Sequence, residues 1–564
     1  MSNATTGTPK PAPAVTTTAW WDQRPGWIPW IVFLFGLTVL MPSIWSETSV
    51  TGSDEYTLTL RTPMEMKERD QWLTPWVNGE LRLRKPPLMY WLILANYHLF
   101  GVGLVAARIW SVLAGAGLAV VACQWSRELF RSNGKGLLTG LLTVSCIGIA
   151  AQARQAMLDL PLAFFVSLAI LFGLRWLRTG RLIDALAAGV WLGLSFLTKG
   201  PIGFFFFGSA AVAAVFCLSA FPILKQRGWH WLLAVAVVAA ISVPWPLAMQ
   251  QIWGDRFAQI MGEELAAREF GSWHGKSPLS ALGGALGLIA PWTPMVVVAI
   301  WEFFRTPKSE RLPANRWLIA TFFISILPFF FMTTFERYML SVVPTQAALA
   351  AHWLAPGGRI QRLTMAFAAL IFGILAFAVG SFALWFQLGI IIPLLSWTLA
   401  VTAFLWAQRG VDPIRVVALC GVVLALVFGG LYPRLGLNGL PAGIETVIGS
   451  RPTFTFDRMQ PAMLSPRLGR SVLQFTPERL TNSLPAVVFV DRPVVPDFQK
   501  RLSELGLQAQ EITRYKTFYS RKVWIRFARA DATAADWQAA LKSRSLEGLK
   551  TDLIGFEVSR PPAP

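Results

Sequence analysis

The chain has 564 residues, of which 54% are hydrophobic and only 14% are charged, with a formal net charge of +19. A soluble globule cannot hide that much apolar surface, so the composition excludes a water-soluble fold and predicts an all-α polytopic membrane protein. In a soluble protein this positive charge would suggest nucleic acid. Here much of it lies in short loops between apolar segments, which predicts anionic membrane lipid as the partner and no nucleic acid.

Thirteen apolar stretches follow a leader at 1–26, which is rich in Thr, Ala and Pro and is predicted to be disordered. Each stretch is long enough, or nearly so, to cross about 30 Å of hydrocarbon as a helix. The predicted spans are 27–46, 107–126, 136–153, 160–177, 184–200, 202–222, 229–248, 280–304, 316–333, 339–355, 363–384, 387–407 and 414–432.

Basic residues in six consecutive loops predict the orientation. If the short apolar segment 88–103 lies on the membrane surface, all six loops fall on one side, which the positive-inside rule makes cytoplasmic. The N-terminal leader is then cytoplasmic and the C-terminus lies outside. Four polar segments face outward in this topology: 47–106, 154–159, 249–279 and 335–338.

The composition changes after residue 432 to that of a soluble protein. We therefore predict a transmembrane domain at 27–432 and a small α/β domain at 433–564, outside the membrane. The elements predicted for this domain are strands at 485–491 and 522–528 and helices at 497–505 and 534–543.

The 47–106 segment carries the most informative charges. Asp54 and Glu55 form an acidic pair just beyond the first span, where a carboxylate can orient or deprotonate an acceptor group, although such residues are often only solvated. Lys85 precedes Pro86-Pro87, which forbid helix and fix the direction of the backbone. A lysine held there suits a phosphate, or it serves as a routine membrane-edge anchor.

Other charged residues lie at the same predicted membrane edge. Asp159 directly precedes a span, where it is either a helix cap or a functional group. Lys199 ends an outward-running span and is either an anchor or a phosphate contact. Arg268 in the 249–279 loop and Tyr338 in the 335–338 turn add further polar groups.

The sequence gives no ordered metal or nucleotide motif. The four cysteines lie inside apolar runs and are expected to be core thiols, and the four histidines are dispersed. A Gly-rich nucleotide loop is also absent from the sequence, which disfavours a nucleotide-sugar enzyme or an ATP-driven pump. No cofactor is therefore assigned, and a divalent metal has no ligand cluster to support it.

Several short motifs occur in a fixed order between residues 27 and 350. They are Asp54-Glu55, Asn78-Gly79, Lys85-Pro86-Pro87, Asp159-Leu160-Pro161, Lys199-Gly200-Pro201 and Pro291-Trp292-Thr293. This ordered set resembles the bacterial aminoarabinose transferases of lipid A, relatives of the protein O-mannosyltransferases in the C-type (GT-C) glycosyltransferase superfamily. The chain departs from the family pattern at Tyr56-Thr57, where a small residue and Arg are usual, at Arg84, where Glu is common, and at Glu263-Glu264, where Glu-His is common.

The resemblance implies a GT-C fold with about 13 transmembrane helices and an active site on the periplasmic face of the bacterial inner membrane. It implies an inverting glycosyltransferase, in which an acceptor oxygen attacks the anomeric carbon of a polyprenyl-phosphate-linked sugar. The expected sugar is 4-amino-4-deoxy-L-arabinose and the expected acceptor is lipid A. The candidate residues are Asp54, Glu55 and Asp159 for catalysis, and Lys85, Arg268, Lys199 and Tyr338 for the donor phosphate.

Two alternatives remain open besides a purely structural membrane scaffold, which would not need Asp54, Lys85 and Arg268 to converge. One is transfer of another sugar, such as a hexose or a uronic acid, to lipopolysaccharide core, O-antigen or protein. The other is a flippase for the same lipid-linked sugar, which should have related halves and charges near the bilayer midplane. The candidate charges instead cluster at one membrane edge, which favours the transferase.

Overall fold

The computed structural model describes residues 20–266, 277–409, 412–456, 463–518, 527–529 and 531–561. Helices dominate up to about residue 434, and a five-stranded sheet lies beyond them. The fold class predicted from composition is therefore confirmed: a helical membrane part is joined to a small α/β domain at the C-terminal end. Residues 433–564 are called the C-terminal domain.

The helical part contains long helices separated by short turns. Its α-helices of five or more residues are Ile28–Leu40, Arg61–Glu68, Leu88–Phe100, Leu104–Phe130, Asn133–Val144, Ile147–Gln152, Asp159–Thr179, Leu182–Lys199, Ile202–Cys217, Phe221–Arg227, His230–Ser242, Pro244–Ala266, Ser277–Gly287, Thr293–Arg305, Pro313–Ile326, Val343–Leu354, Arg359–Trp385, Ile391–Arg409 and Pro413–Ala425. Short 3-10 turns at Leu327–Phe330 and Glu336–Val342 connect Pro313–Ile326 to Val343–Leu354.

Each of the thirteen predicted spans overlaps a helix or a pair of helices. Among the described residues, eight helices are long and apolar enough to cross a membrane, and a bent pair, Ile202–Cys217 with Phe221–Arg227, makes up to nine. The other predicted spans fall on shorter or broken helices. The apolar segment at 88–103 forms the 13-residue helix Leu88–Phe100, which is too short to cross the bilayer by itself.

The 47–106 segment folds against itself before the next long helix begins. A π-helical turn, Glu55–Thr59, leads into Arg61–Glu68, and a small antiparallel hairpin pairs Trp76–Val77 with Glu80–Leu81. Asn78 and Gly79 form the turn with φ of 56° and 78°. These left-handed angles match the type I′ hairpin turn that Asn-Gly favours.

The predicted loop at 249–279 is helical in its described part. The helix Pro244–Ala266 continues the helix before it and bends at Gly254, whose φ is 47° and ψ is −125°. Its final turns contact the 47–106 segment at Arg84 and Lys85. Residues 267–276 lie outside the described residues.

The C-terminal domain is built on a mixed sheet with the strand order Leu473–Gln474, Thr453–Thr455, Ala486–Asp491, Thr551–Ser559, Gln508–Thr517. The first three strands are parallel, and Thr551–Ser559 runs antiparallel to both of its neighbours. Helix Val495–Glu504 covers one face through Phe498 and Leu502.

The elements predicted for this domain can be compared with the structure. The strand at 485–491 and the helices at 497–505 and 534–543 are confirmed, within two residues, as Ala486–Asp491, Val495–Glu504 and Ala534–Ser543. The strand predicted at 522–528 lies mostly outside the described residues, and Phe527 and Ala528 form a turn and a bend. The two longest strands, Gln508–Thr517 and Thr551–Ser559, were not predicted.

Candidate active site

A cavity of 580 Å³ lies where several helix ends meet the 47–106 segment. Its walls are mostly aromatic and aliphatic side chains, including Phe196, Phe205 and Trp245. Four of the predicted site residues line it as well. They are Lys85, Asp159, Lys199 and Tyr338. The cavity thus combines an apolar groove with fixed charges, the combination that a phosphate on a long hydrocarbon tail requires.

Asp159 and Lys199 meet because two helices form an antiparallel hairpin. Asp159 lies 21 residues before Gly180, which turns the chain at φ 62°, and Lys199 lies 19 residues after it. Nearly equal distances from the turn bring both residues to the same level. The carboxylate therefore lies in the first turn of Asp159–Thr179 and the ammonium in the last turn of Leu182–Lys199, where the helix dipoles favour each charge.

The two charges form an ion pair between Lys199 Nζ and Asp159 Oδ1. Their side chains are 11% and 4% exposed. Gly200, at φ 78°, and Pro201 then end the helix, because neither continues a right-handed helix at that point. The Lys-Gly-Pro motif therefore fixes where the ammonium stands.

Tyr338 covers the same ammonium group. Lys199 Nζ lies 4.0 Å from the centre of the Tyr338 ring, which is a cation–π distance. Tyr338 lies in the short 3-10 helix Glu336–Val342 and contacts Phe329 and Phe335 edge-on. The ring thus joins the charged end of the cavity to its aromatic wall.

Arg337 links two of the candidate carboxylates. Its Nη2 donates to Asp54 Oδ2 at 2.6 Å, and its Nε lies 3.3 Å from Asp159 Oδ2. The guanidinium is one quarter exposed and the Asp54 side chain is 41% exposed. Asp54 is therefore held by Arg337 but remains partly exposed, whereas Asp159 is enclosed.

Glu55 is placed quite differently from Asp54. It is fully buried, and its Oε1 accepts hydrogen bonds from Arg108 Nε and the Ala156 N–H, both at 2.8 Å. Its Oε2 accepts from Arg108 Nη2 at 3.1 Å and from the Thr51 hydroxyl. Since its oxygens already receive four hydrogen bonds, this geometry favours a role in fixing the segment. A catalytic role for Glu55 stays a prediction.

Lys85 also lines the cavity and forms an ion pair with Glu264, in which both side chains are 16% exposed. The neighbouring pair, Arg84 with Glu263 at 3.3 Å, is half exposed at both partners. The final turns of helix Pro244–Ala266 therefore supply the carboxylates that meet Arg84 and Lys85. The backbone before them is anchored by Leu83, which is buried in a cluster with Trp245 and Phe257.

Tyr90 lies in helix Leu88–Phe100, just after the Lys-Pro-Pro motif, and is buried in a cluster with Met66 and Leu94. Burial raises the pKa of its phenol, and the nearby Arg82 opposes this only in part. The phenol is therefore neutral at neutral pH. Tyr90 therefore stabilises the 47–106 segment by packing, and its neutral phenol is not a candidate base beside Asp54.

Some of the contacts could not be predicted from short motifs. Arg268, the second predicted phosphate ligand, lies outside the described residues. Arg337, Glu264 and Arg108 contact the predicted site residues but were not named as candidates. The near-equal spacing about Gly180 could have predicted the Asp159–Lys199 pair, whereas no sequence signal pairs Arg337 with Asp54. Among the described residues, no group of three or more His, Cys, Asp or Glu side chains could hold a metal ion.

Comparisons with known proteins show what the chain is similar to. Residues 30–255 match the family model described as dolichyl-phosphate-mannose-protein mannosyltransferase. The chain is 28% identical to an undecaprenyl phosphate-alpha-4-amino-4-deoxy-L-arabinose arabinosyl transferase from Pseudomonas aeruginosa over 356 residues, covering 59% of this chain and 60% of the relative. It is 25% identical to an uncharacterised protein of Aquifex aeolicus over 291 residues, which cover 51% of this chain and 56% of that protein. The match spans little more than half the length of these relatives.

The fold is also similar to a solved structure. The crystal structure of ArnT from Cupriavidus metallidurans bound to undecaprenyl phosphate superposes with a TM-score of 0.67 at 20% identity, over 94% of this chain and 98% of that one. At that identity the superposition shows a common fold. The resemblance drawn from the ordered motifs is thus confirmed: the chain is a multi-pass membrane protein that shares the fold of that solved structure and is similar in sequence to the aminoarabinose transferases and, over residues 30–255, to the protein mannosyltransferase family model.

Proposed function

We propose that the protein is an inverting glycosyltransferase that moves a sugar from a polyprenyl-phosphate carrier to an acceptor in the bacterial envelope. The observation that carries this proposal is the 580 Å³ cavity, a mostly apolar groove that Lys85, Lys199 and Tyr338 also line. The names of the relatives supply the sugar, 4-amino-4-deoxy-L-arabinose, and its carrier, undecaprenyl phosphate. The proposed acceptor, a lipid A phosphate, comes from the resemblance of the ordered motifs.

In this proposal the polyprenyl tail lies along the aromatic wall and the phosphate lies between Lys85 and Lys199. Each ammonium already faces a carboxylate, Glu264 or Asp159. The entering phosphate therefore exchanges with Glu264 at Lys85, while the more enclosed Lys199 keeps Asp159. Charge on the phosphate rises as the bond to the sugar breaks, so contacts to both cations strengthen in the transition state.

The acceptor oxygen would approach from the side of Asp54, opposite the leaving phosphate. Inversion requires this arrangement, because the new bond forms on the face of the sugar away from the bond that breaks. Asp54 is the candidate for orienting the acceptor or taking its proton, since it is the more exposed carboxylate of the network. Arg337, which contacts both carboxylates, would keep Asp54 aligned with Asp159.

The site is proposed to face the periplasm from the inner membrane. Support comes from the six basic loops, which the positive-inside rule puts in the cytoplasm. The site residues lie at the helix ends opposite to those joined by the basic loops. A donor carried by a lipid and an acceptor that is itself a lipid would then both reach the cavity within the outer leaflet.

The test is release of free polyprenyl phosphate. Purified protein in liposomes receives the polyprenyl-phosphate sugar and a panel of acceptors that includes lipid A, and products are identified by mass. Lys85→Ala should lower turnover by about 10- to 150-fold, the equivalent of one charge-assisted hydrogen bond. The matched control is Lys500→Ala, which removes an exposed lysine of the C-terminal domain and should leave turnover unchanged.

A flippase would give a different result. It would move the donor across the bilayer without releasing polyprenyl phosphate, whichever acceptor is present. Transport of that kind by the wild-type protein, with no cleavage in the full acceptor panel, would replace the transferase proposal. Cleavage with a product other than modified lipid A would keep the reaction and change the acceptor.

A further inference from the structure

The C-terminal domain contacts the 47–106 segment through a set of polar contacts that centres on the hairpin turn Asn78-Gly79. Arg479 Nη2 donates to the Asn78 carbonyl at 2.9 Å, and Arg479 Nη1 lies 3.4 Å from Asn78 Oδ1. The same Oδ1 accepts the Gln474 N–H at 3.0 Å. A side chain at Gly79 would place its Cβ 3.2 Å from Arg479 Nη2, so the turn is fitted closely to this arginine.

The other side of the turn faces helix Arg61–Glu68. The N–H groups of Asn78 and Gly79 both donate to the Glu65 carboxylate, at 2.5 and 2.8 Å. The turn is therefore held from two directions, by Glu65 through its amides and by Arg479 through its oxygens. A two-residue turn with that many contacts has little freedom to move by itself.

Two further contacts attach the C-terminal domain to the part of the segment that follows Asp54. The Ser471 N–H donates to Glu68 Oε1 at 2.7 Å. Met463 is buried in a cluster with Leu60 and Met64, which lie between the acidic pair and the hairpin. The C-terminal domain thus contacts the 47–106 segment both shortly after Asp54 and shortly before Lys85.

We propose that the C-terminal domain clamps the 47–106 segment and so sets the position of Lys85 relative to the membrane helices, with Arg479 as its main positioning residue. The hairpin's second strand ends at Leu81, four residues before Lys85, and the Arg82 N–H still pairs with the Pro75 carbonyl. Any displacement of the turn should therefore also displace Lys85, because only a short, hydrogen-bonded stretch of chain separates them. This inference rests on the proposed function, because it concerns the same phosphate site.

The experiment measures binding of undecaprenyl phosphate to the full-length protein in nanodiscs. Arg479→Ala should raise the dissociation constant about 10-fold, as expected when a charge-assisted contact that orders a binding group is lost. Hydrogen exchange of the amides at 76–82 should speed up in the same variant. Arg492→Ala is the matched control: it removes an arginine of the same domain that is 71% exposed and pairs with Asp552.

A second background separates positioning from a general structural effect. In Lys85→Ala protein the clamp has no lysine to position, so adding Arg479→Ala should change the dissociation constant by less than about 2-fold. A full additional loss of about 10-fold in that background would overturn the inference. So would an unchanged constant in the single variant.

A third variant covers the case in which Arg479→Ala does not fold. Asn78→Gly keeps the positive φ of the turn and the carbonyl acceptor but removes Oδ1, and it should weaken binding in the same direction. Unchanged binding by Asn78→Gly would then count against the clamp. Failure of the wild-type protein to bind undecaprenyl phosphate would instead overturn the proposed function, so the two failures are distinguishable.

Discussion

Asp54 and Glu55 are neighbours in the chain, yet their carboxylates occupy opposite kinds of surroundings. The Asp54 side chain is 41% exposed and contacts Arg337. Glu55 is fully buried and is shared among Arg108, Thr51 and the Ala156 N–H. A π-helical turn begins at Glu55 and sends the two side chains in different directions. Two adjacent residues of one chemical type therefore lie in different surroundings: the carboxylate of Asp54 is partly exposed, and that of Glu55 is buried and fully hydrogen-bonded.

The pair Glu263 and Glu264 repeats this contrast in a milder form. Glu263 forms a half-exposed ion pair with Arg84, whereas Glu264 is mostly enclosed with Lys85. An exposed ion pair is worth little because water and salt screen it. An enclosed pair is costly to break, since the remaining charge loses its partner in a poorly solvated place. Burial, and not residue type, therefore sets what each carboxylate contributes.

The largest effect is expected from Glu55→Gln. The change leaves the buried Arg108 guanidinium without its counter-charge, and breaking a buried pair in this way costs about 3–5 kcal/mol. Thermal unfolding in detergent should show a large loss of stability. An unchanged midpoint would mean that the buried pair does not fix the segment and would remove the contrast with Asp54.

Asp54→Asn should act on turnover instead of stability. Removing a positioned carboxylate that orients or deprotonates the acceptor is expected to lower turnover about 10²- to 10⁴-fold. The free energy of unfolding should fall by less than about 1 kcal/mol, because the ion pair is partly exposed. Kinetics and thermal unfolding on the same sample check both statements.

Asp70→Asn is the matched control for that experiment. Asp70 is an exposed residue of the same segment, and its left-handed φ of 50° is equally suited to Asn. Turnover should match that of the wild-type protein. If Asp54→Asn turns over as fast as Asp70→Asn, Asp54 has no part in the reaction.

The smallest effect separates Glu264 from Glu263. Glu264 faces Lys85, so Glu264→Gln removes a competitor of the phosphate and should tighten undecaprenyl phosphate binding by about 5-fold, or about 1 kcal/mol. Glu263→Gln should change it by less than about 2-fold, because its pair with Arg84 is screened by water. Titration of both variants in nanodiscs provides the comparison. Equal effects would show that the enclosure of Lys85 does not matter for the phosphate.

Much of the helical layout could be predicted because its signals are local. Apolar stretches of about 20 residues select helices by the cost of leaving backbone groups unpaired in hydrocarbon. Gly200-Pro201 predicts a helix end, and the structure has it directly after Lys199. In the C-terminal domain the buried strand Ala486–Asp491 was predicted, but the exposed edge strand Gln508–Thr517 was not, because its residues carry no apolar alternation and pairing with Thr551–Ser559 supplies its partner.

The sequence by itself determined the membrane class, the helices and the chemical types at the site, since hydrophobicity, helix caps and motif order depend on nearby residues. Only the tertiary structure decided which charged residues form pairs and which of them are buried. Arg337 comes 283 residues after Asp54, and Arg479 comes 401 residues after Asn78, yet each pair forms a direct contact. The environment that makes Asp54 available and Glu55 inaccessible arises from packing between distant segments. Burial and ion pairing are properties of that packing, so adjacent identical charges in a sequence can carry opposite roles.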